Sequence, residues 1–527
     1  MKRKRVCALF TIVAALTMTS SVIRSSESFS PCVYSGLWGV SGEKWDERGR
    51  LPDFSYAGYH AGELDIPRPK AKWDLKRDFH AVGDGHADDT SALVTALRTV
   101  RNEVLFIPKG VYVISKRIDL NDGNVIIRGA GSNETTLLFP NSLQDLFGNS
   151  ARGSEQSQWA FRPGLINVSG QDPINEQTRL ARVASPASRG SKSLELSNPI
   201  SIKKGEWIRL VESDPPKDHS NAGSLIKHLY GDLMPSGTDL LGTASVVRFL
   251  SRVKKVSGKA IELERSLPYD VRLEWTPEIH RFTPSVTEIG IEHLSIHFPW
   301  SPYPGHFKEK GYNAIFMQNV SQCWIDDVEI QNSDFGIDLN ATNFCTVRHV
   351  TLTTSESRAV GEGGRDGNGH HGIDISHGTE NLVTNFDVQT KFVHDISVEW
   401  YALHSVFKNG RGVDLNMDHH REANYSSLFS SLDCGACSRP FNSGGSGNRG
   451  AHSGAYSTFW NVRGSLPIQL PSADFGPLLN FVGLDLKEVQ KNSTYQWLID
   501  TSGSGAAVCP IDLQDAMKTR RFSLRGR

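Results

Sequence analysis

The sequence predicts an all-β fold, a parallel β-solenoid of short strands that carries a β-rich insertion, and three observations predict it. Gly336-Ile337-Asp338-Leu339-Asn340 superposes on Ala314-Ile315-Phe316-Met317-Gln318, and the same shift of about 22 residues sets Cys345 on Cys323, Val347 on Ile325, Val350 on Val328 and Leu352 on Ile330. A period of that size fits one solenoid coil, whose strands pair only with the coils before and after. The repeating segments are β-branched runs bounded by Asn, Gly and Ser. Composition agrees, because 48 Gly against 6 Met among 527 residues favours turns over long helices. Length alone suggests several domains, but one solenoid occupies the same length.

Taken in order, residues 1–27 read as a secretory signal peptide. Lys2, Arg3, Lys4 and Arg5 precede the apolar run 6–16, and small and hydroxyl residues follow. A membrane anchor is the alternative, since no clean cleavage site stands out; no other apolar run approaches the roughly 18 residues a bilayer span needs. The expected location is extracellular. Without Cys7, the even set Cys32, Cys323, Cys345, Cys434, Cys437 and Cys509 suits three disulfides in an oxidising compartment. Cys434-Gly-Ala-Cys437 has zinc-knuckle spacing, but no second pair follows, so a disulfide is favoured. Sequons at Asn133, Asn167, Asn319, Asn340, Asn424 and Asn492 are glycosylation acceptors in a eukaryotic host. Lys plus Arg at 57 balances Asp plus Glu at 58, which gives no electrostatic case for nucleic acid.

Residues 28–73 are irregular and Pro-bearing, a strap along the surface. Residues 74–170 are the N-terminal cap and first coils, and 171–285 are a β-rich insertion with a polar interior around 215–242. Residues 286–485 are the main coils with the functional face. The tail, 486–527, holds a terminal helix near 510–520.

Asp78-Phe79-His80-Ala81-Val82-Gly83-Asp84-Gly85, then Asp88-Asp89-Thr90-Ser91-Ala92-Leu93, Leu105-Phe106-Ile107-Pro108-Lys109-Gly110-Val111-Tyr112 and Ile127-Arg128-Gly129-Ala130-Gly131, resemble the opening of the pectate-lyase superfamily. The resemblance implies a single-stranded right-handed parallel β-helix whose Asp-Asp-Thr turn caps a short helix closing its N-terminal end. It also implies extracellular carbohydrate as the partner without fixing the reaction, because the superfamily spans lyases, hydrolases, epimerases and tailspikes.

The chemistry follows from the repeat. The Gly-apolar-Asp-apolar segments at Gly336, Gly372 and Gly412 send apolar residues inward and Asp338, Asp374 and Asp414 outward onto one face. On neighbouring coils such carboxylates stand roughly 5 Å apart. They then bind Ca²⁺, split into acid and base, or form a solvated ladder. His371, His377, His420, Arg411 and Arg421 flank the same strands, and Asn416, Arg439 and Trp460 supply candidate sugar contacts. Catalysis is expected of Asp374, Asp414, Arg411, His371, Arg421 and His420, substrate binding of Asp338, Asn416, His377, Arg439 and Trp460, and possible calcium binding of Asp338, Asp374 and Asp414.

Two reactions on an acidic polysaccharide fit. β-Elimination, ranked slightly ahead, neutralises a uronate with Ca²⁺ or Arg while a base takes the C5 proton. Hydrolysis uses two Asp residues as acid and base. His370-His371-Gly372-Ile373 only faintly resembles the polygalacturonase Gly-His-Gly motif, and Asp326-Asp327 lies on another strand. A glycan-binding monomer without turnover is the third reading. Zinc on His370, His371, His377, His419 and His420 matches no standard ligand spacing.

Overall fold

The structure, a computed structural model, describes residues 33–149, 156–171, 174, 176–215, 223–233, 246–359, 367–488, 495–500 and 507–525. The expected signal peptide, Cys32, Asn492 and most of the polar stretch 215–242 lie outside the described residues.

The chain folds into the expected right-handed parallel β-helix. Seven strands stack in parallel along one wall: β1 (Ile118–Leu120), β2 (Ile166–Ser169), β3 (Asn313–Gln318), β4 (Phe335–Asn340), β5 (His371–Ser376), β6 (His394–Glu399) and β7 (Met417–His419). Ile315 pairs with Ile337, and on a second parallel wall Ile325 pairs with Val347, which is the register the repeat gave. Ile337, Leu339, Ile373, Ile375, Ile396 and Val398 enter one continuous core because alternate strand residues face opposite sides. Near its C-terminal end the core contains a stack of Phe407, Phe429, Phe459 and Phe481 with centroids 5.3, 5.4 and 5.1 Å apart.

Five successive coils of the second wall bend at a left-handed residue in the same position. His293, Asp327, His349, Asn385 and Asn409 stand one above the other with φ of 55°, 54°, 51°, 53° and 52°. A left-handed residue turns the strand through a corner while the pairing on either side continues. Asn, Asp and His enter that region more readily than most side chains.

One of the expected repeats falls on the other wall. β6 lies beside β5 on the first wall and does not continue the column of 347–352. The strand that does continue it is Leu382–Thr384. Gly412 pairs with Val388 on the second wall, so 412–416 is not a third copy of the Gly336 and Gly372 segments. A period-2 pattern reports which side of a strand is buried, and both walls bury the same side.

At the N-terminal end, the helix Thr90–Thr99 places Leu93, Ala96 and Leu97 on the open end of the core. The two Asp residues divide the work: Asp88 accepts from the Thr90 amide, while Asp89 turns back to the amides of Val82 and Gly83. Between Arg179 and Arg281 the described residues form six antiparallel strands. Their apolar face packs on Leu403, Ala423 and Tyr425 of the solenoid, so this unit lies against the coils. Trp38, Leu51 and Phe54 of the N-terminal segment cover the second wall together with Leu513 and Met517 of the helix Leu513–Arg525.

Cys434 and Cys437 form a disulfide, and Cys509 is disulfide-bonded as well. Cys323 and Cys345, stacked on adjacent coils inside the core, are free thiols and not a third bridge. Among the described residues no helix is long and apolar enough to cross a membrane.

Candidate functional site

The outer face of the first wall carries a column in register: Phe316, Asp338, Asp374, Ser397 and Asp418. Asp338 and Asp374 are direct neighbours, as the repeat implies. The next carboxylate is Asp418, and Asp414 lies outside the column. Asp414 instead meets Lys391 Nζ at 2.9 Å and accepts from the Ser438 amide and hydroxyl at 2.8 and 2.7 Å. The expected trio Asp338, Asp374 and Asp414 therefore has no common cage for calcium. A guanidinium already sits on Asp338.

That guanidinium is Arg162, whose Nε donates to Asp338 at 2.6 Å and whose Nη2 donates to Ser376 Oγ at 2.7 Å. It comes from the segment ahead of β2, 176 residues before Asp338. Its side chain is about one-third exposed while Asp338 and Asp374 are buried, so Arg162 lies over the pair. Burial, with Glu399 and Asp338 adding like charge, pushes the Asp374 carboxyl well above the usual range. Asp374 thus holds its proton more tightly than an ordinary aspartic acid, and its surroundings favour the neutral form.

Asp418 has the opposite environment. Burial works against its charge, but His394 Nδ1 at 3.0 Å and His420 Nδ1 at 2.7 Å overcome that and hold it well below the usual range. Burial opposes a charge on His420 too, yet Asp418 outweighs it and raises the imidazole. His371 stacks on Phe335 and lies within 4.6 Å of His394, centroid to centroid. Burial and the neighbouring imidazoles keep His371 neutral.

The other expected site residues lie elsewhere or are committed to the scaffold. Arg411 is on the second wall, two-thirds exposed and paired with Asp387 at 2.5 Å. Arg411→Ala therefore leaves kcat/KM unchanged, a result checked by steady-state kinetics beside the wild type. Arg421 donates to the Gly445 and Gly450 carbonyls and meets His452. His377 is stacked on Trp400 and pushed down to about 3 by burial. Asn416 bridges Asp395 to the Asn442 carbonyl, and Arg439 is paired with Asp395 at 2.7 Å. Trp460 is fully buried beneath the C-terminal helix with its Nε1 on the Pro510 carbonyl, so it offers no face to a sugar. Of the expected catalytic set, Asp374, His371 and His420 converge.

Arg162, His394 and Glu399 had no signal in isolation, and Asp418 was legible only as part of the polar run Asp418-His419-His420-Arg421 beside the expected site. Aligning His394-Asp-Ile-Ser-Val-Glu399 with His371-Gly-Ile-Asp-Ile-Ser376, the pairing the structure adopts, exposes two of them, His394 and Glu399. At the rim, the Arg449 guanidinium covers the Trp400 ring at 4.7 Å and meets Glu422 at 3.4 Å. Burial raises the Glu422 carboxyl to about 7, with Arg449 pulling it down and Glu399 pushing it up. The folded state thus holds this proton more tightly than the unfolded chain. Its stabilisation is present below the ordinary value of 4.5 and is lost as pH rises through 7. Glu422→Gln removes that decline, which is read as the difference between wild-type and variant melting temperatures across this window.

Residues 76–171 match the family described as rhamnogalacturonase A/epimerase, pectate lyase-like. No curated protein matches the chain. Solved structures similar to it include the tailspike protein gp49 from Pseudomonas phage LKA1, at TM-score 0.48 and 13% identity over 78% of this chain and 63% of that one. Another is a family 28 exopolygalacturonase of Yersinia enterocolitica, at TM-score 0.39 and 11% identity over 82% and 76%. A third is a hyperthermoactive exopolygalacturonase from Thermotoga maritima, at TM-score 0.37 and 9% identity over 79% and 87%. The chain thus spans less than two-thirds of the tailspike's length. The stacked parallel walls and the match at their N-terminal end agree: this chain is a parallel β-helix protein with a pectate-lyase-like opening.

Proposed function

We propose that the protein is a secreted carbohydrate-active enzyme that hydrolyses an acidic polysaccharide, with Asp374 as general acid and Asp418 as general base. One observation carries the reading: two carboxylates project from the same face on strands separated by the single strand of Ser397. Two strand spacings amount to roughly 9.5 Å. That is the upper part of the range, roughly 6.5 to 9.5 Å, over which inverting glycosidases hold acid and base apart to admit a water. Asp374 carries the proton that the departing glycosidic oxygen needs. Asp418, clamped between two imidazoles, accepts a proton from the attacking water. Arg162 is the cation a uronate carboxylate meets first, and Arg449 adds positive charge at the rim.

Elimination loses two of its expected catalytic residues in this arrangement, because Arg411 and Arg421 are both committed away from the column. The test uses pectate, alginate, glucuronan and glycosaminoglycans, following reducing ends and conjugated-uronate absorbance together, with and without chelator. New reducing ends of inverted configuration without absorbance support hydrolysis. A parallel rise in absorbance overturns it in favour of elimination. Silence in both, with binding retained, leaves a glycan-binding protein.

A further inference from the structure

We propose that His306, His370 and His394 form a transition-metal site of the zinc class, with a fourth position left open. The three side chains come from the segment before β3, the residue before β5 and the first residue of β6. Each offers a ligand nitrogen, and these atoms lie within 4.8 Å of one another. Ring centroids are separated by 4.6 Å for His306 and His370, 5.6 Å for His370 and His394, and 6.2 Å for His306 and His394. Imidazoles on one tetrahedral zinc, with Zn–N near 2.0–2.1 Å, place their centroids on the order of 5 Å apart. Closing the cluster on an ion therefore needs small rotations of the rings and no movement of the walls.

The outer contacts point the same way. His370 Nδ1 lies 2.9 Å from the Ala160 carbonyl, which fixes the proton on Nδ1 and leaves a lone pair on Nε2. That Nε2 is buried in a side chain 1% exposed and has no hydrogen-bond partner among the described residues. His394 Nδ1 faces Asp418 Oδ2 at 3.0 Å, the carboxylate contact that orients a metal-binding imidazole. Phe161 and Phe307, at 5.1 and 5.6 Å from the His370 ring, exclude water from one side. A buried imidazole nitrogen left without a partner costs stability, and an ion removes that cost. The three positions, 64 and 24 residues apart, form no linear motif, so only the coiling of the chain brings them together.

The site goes beyond the hydrolytic reading and does not depend on it. The test uses the full chain, stripped with chelator and titrated with Zn²⁺ by calorimetry. Metal content after dialysis and the visible spectrum of the Co²⁺-loaded protein are read alongside. One equivalent of zinc is expected, with a tetrahedral Co²⁺ band. His306→Ala, at a partly exposed position, and His370→Ala each weaken binding at least about tenfold. His377→Ala, which removes a partly buried imidazole outside the cluster, binds zinc as the wild type does. Less than stoichiometric zinc in the wild type, or unchanged affinity in His306→Ala, overturns the proposal. Asp374→Asn keeps the zinc site while losing hydrolysis, so failure of one reading is distinguished from failure of the other.

Discussion

Asp374→Asn lowers kcat on the polysaccharide that serves as substrate by about 10² to 10⁴-fold, the contribution of a positioned general acid. The fold survives the change. Asp374 is buried and its carboxyl is raised well above the usual range, so the fold favours the uncharged form there. An amide of the same shape replaces a neutral acid without stranding a charge. The melting temperature is therefore unchanged or slightly higher near pH 7, where a deprotonated Asp374 would face Asp338 and Glu399. Kinetics and thermal melts on the same preparation check both halves. A variant that retains more than about one-tenth of wild-type kcat removes Asp374 from the acid's role.

Arg265→Met destabilises the protein by about 3–5 kcal/mol, the cost of leaving one member of a buried ion pair alone. Arg265 follows the strand Ala260–Leu263 of the antiparallel unit and donates to Glu380 of the solenoid at 2.6 Å, with both side chains almost fully buried. His404, one coil further on, shares the same carboxylate oxygen at 2.7 Å. The guanidinium also lies over Tyr56 at 4.1 Å, which ties in the N-terminal segment. Removing the cation leaves Glu380 buried beside an imidazole, and three parts of the chain lose their common contact. Urea unfolding of the variant measures the loss. Arg265→Met combined with Glu380→Gln loses less than the sum of the two single changes, because the pair is one interaction.

The coils that follow one another at constant spacing were legible from residues alone. Ile315 over Ile337 and Ile325 over Val347 are pairs that a single shift predicts, and Asp338 beside Asp374 follows from the same alternation. Legibility failed once the spacing changed. Past β5 the shorter strands of the two walls carry the same inward apolar pattern, so Gly412-Val413-Asp414 read as the partner of Gly372-Ile373-Asp374. In the structure Asp414 answers to Lys391 and Ser438, and Asp418 takes the column. The misplaced strand carried Arg411 into the expected site with it.

The sequence by itself determined the architecture and the face on which Asp338 and Asp374 stand, because burial of alternate residues and a repeated coil length are local constraints, while the N-terminal cap was what the family resemblance of its opening implied. Tertiary structure alone decided which charges meet. Arg162 reaches Asp338 across 176 residues, and His394 reaches Asp418 only because β6 and β7 stack. Protonation was decided there too. A carboxylate's pKa depends on its burial and on the charges within a few ångströms, and neighbours from distant coils supply both: Glu399 and Asp338 raise Asp374, while two imidazoles lower Asp418.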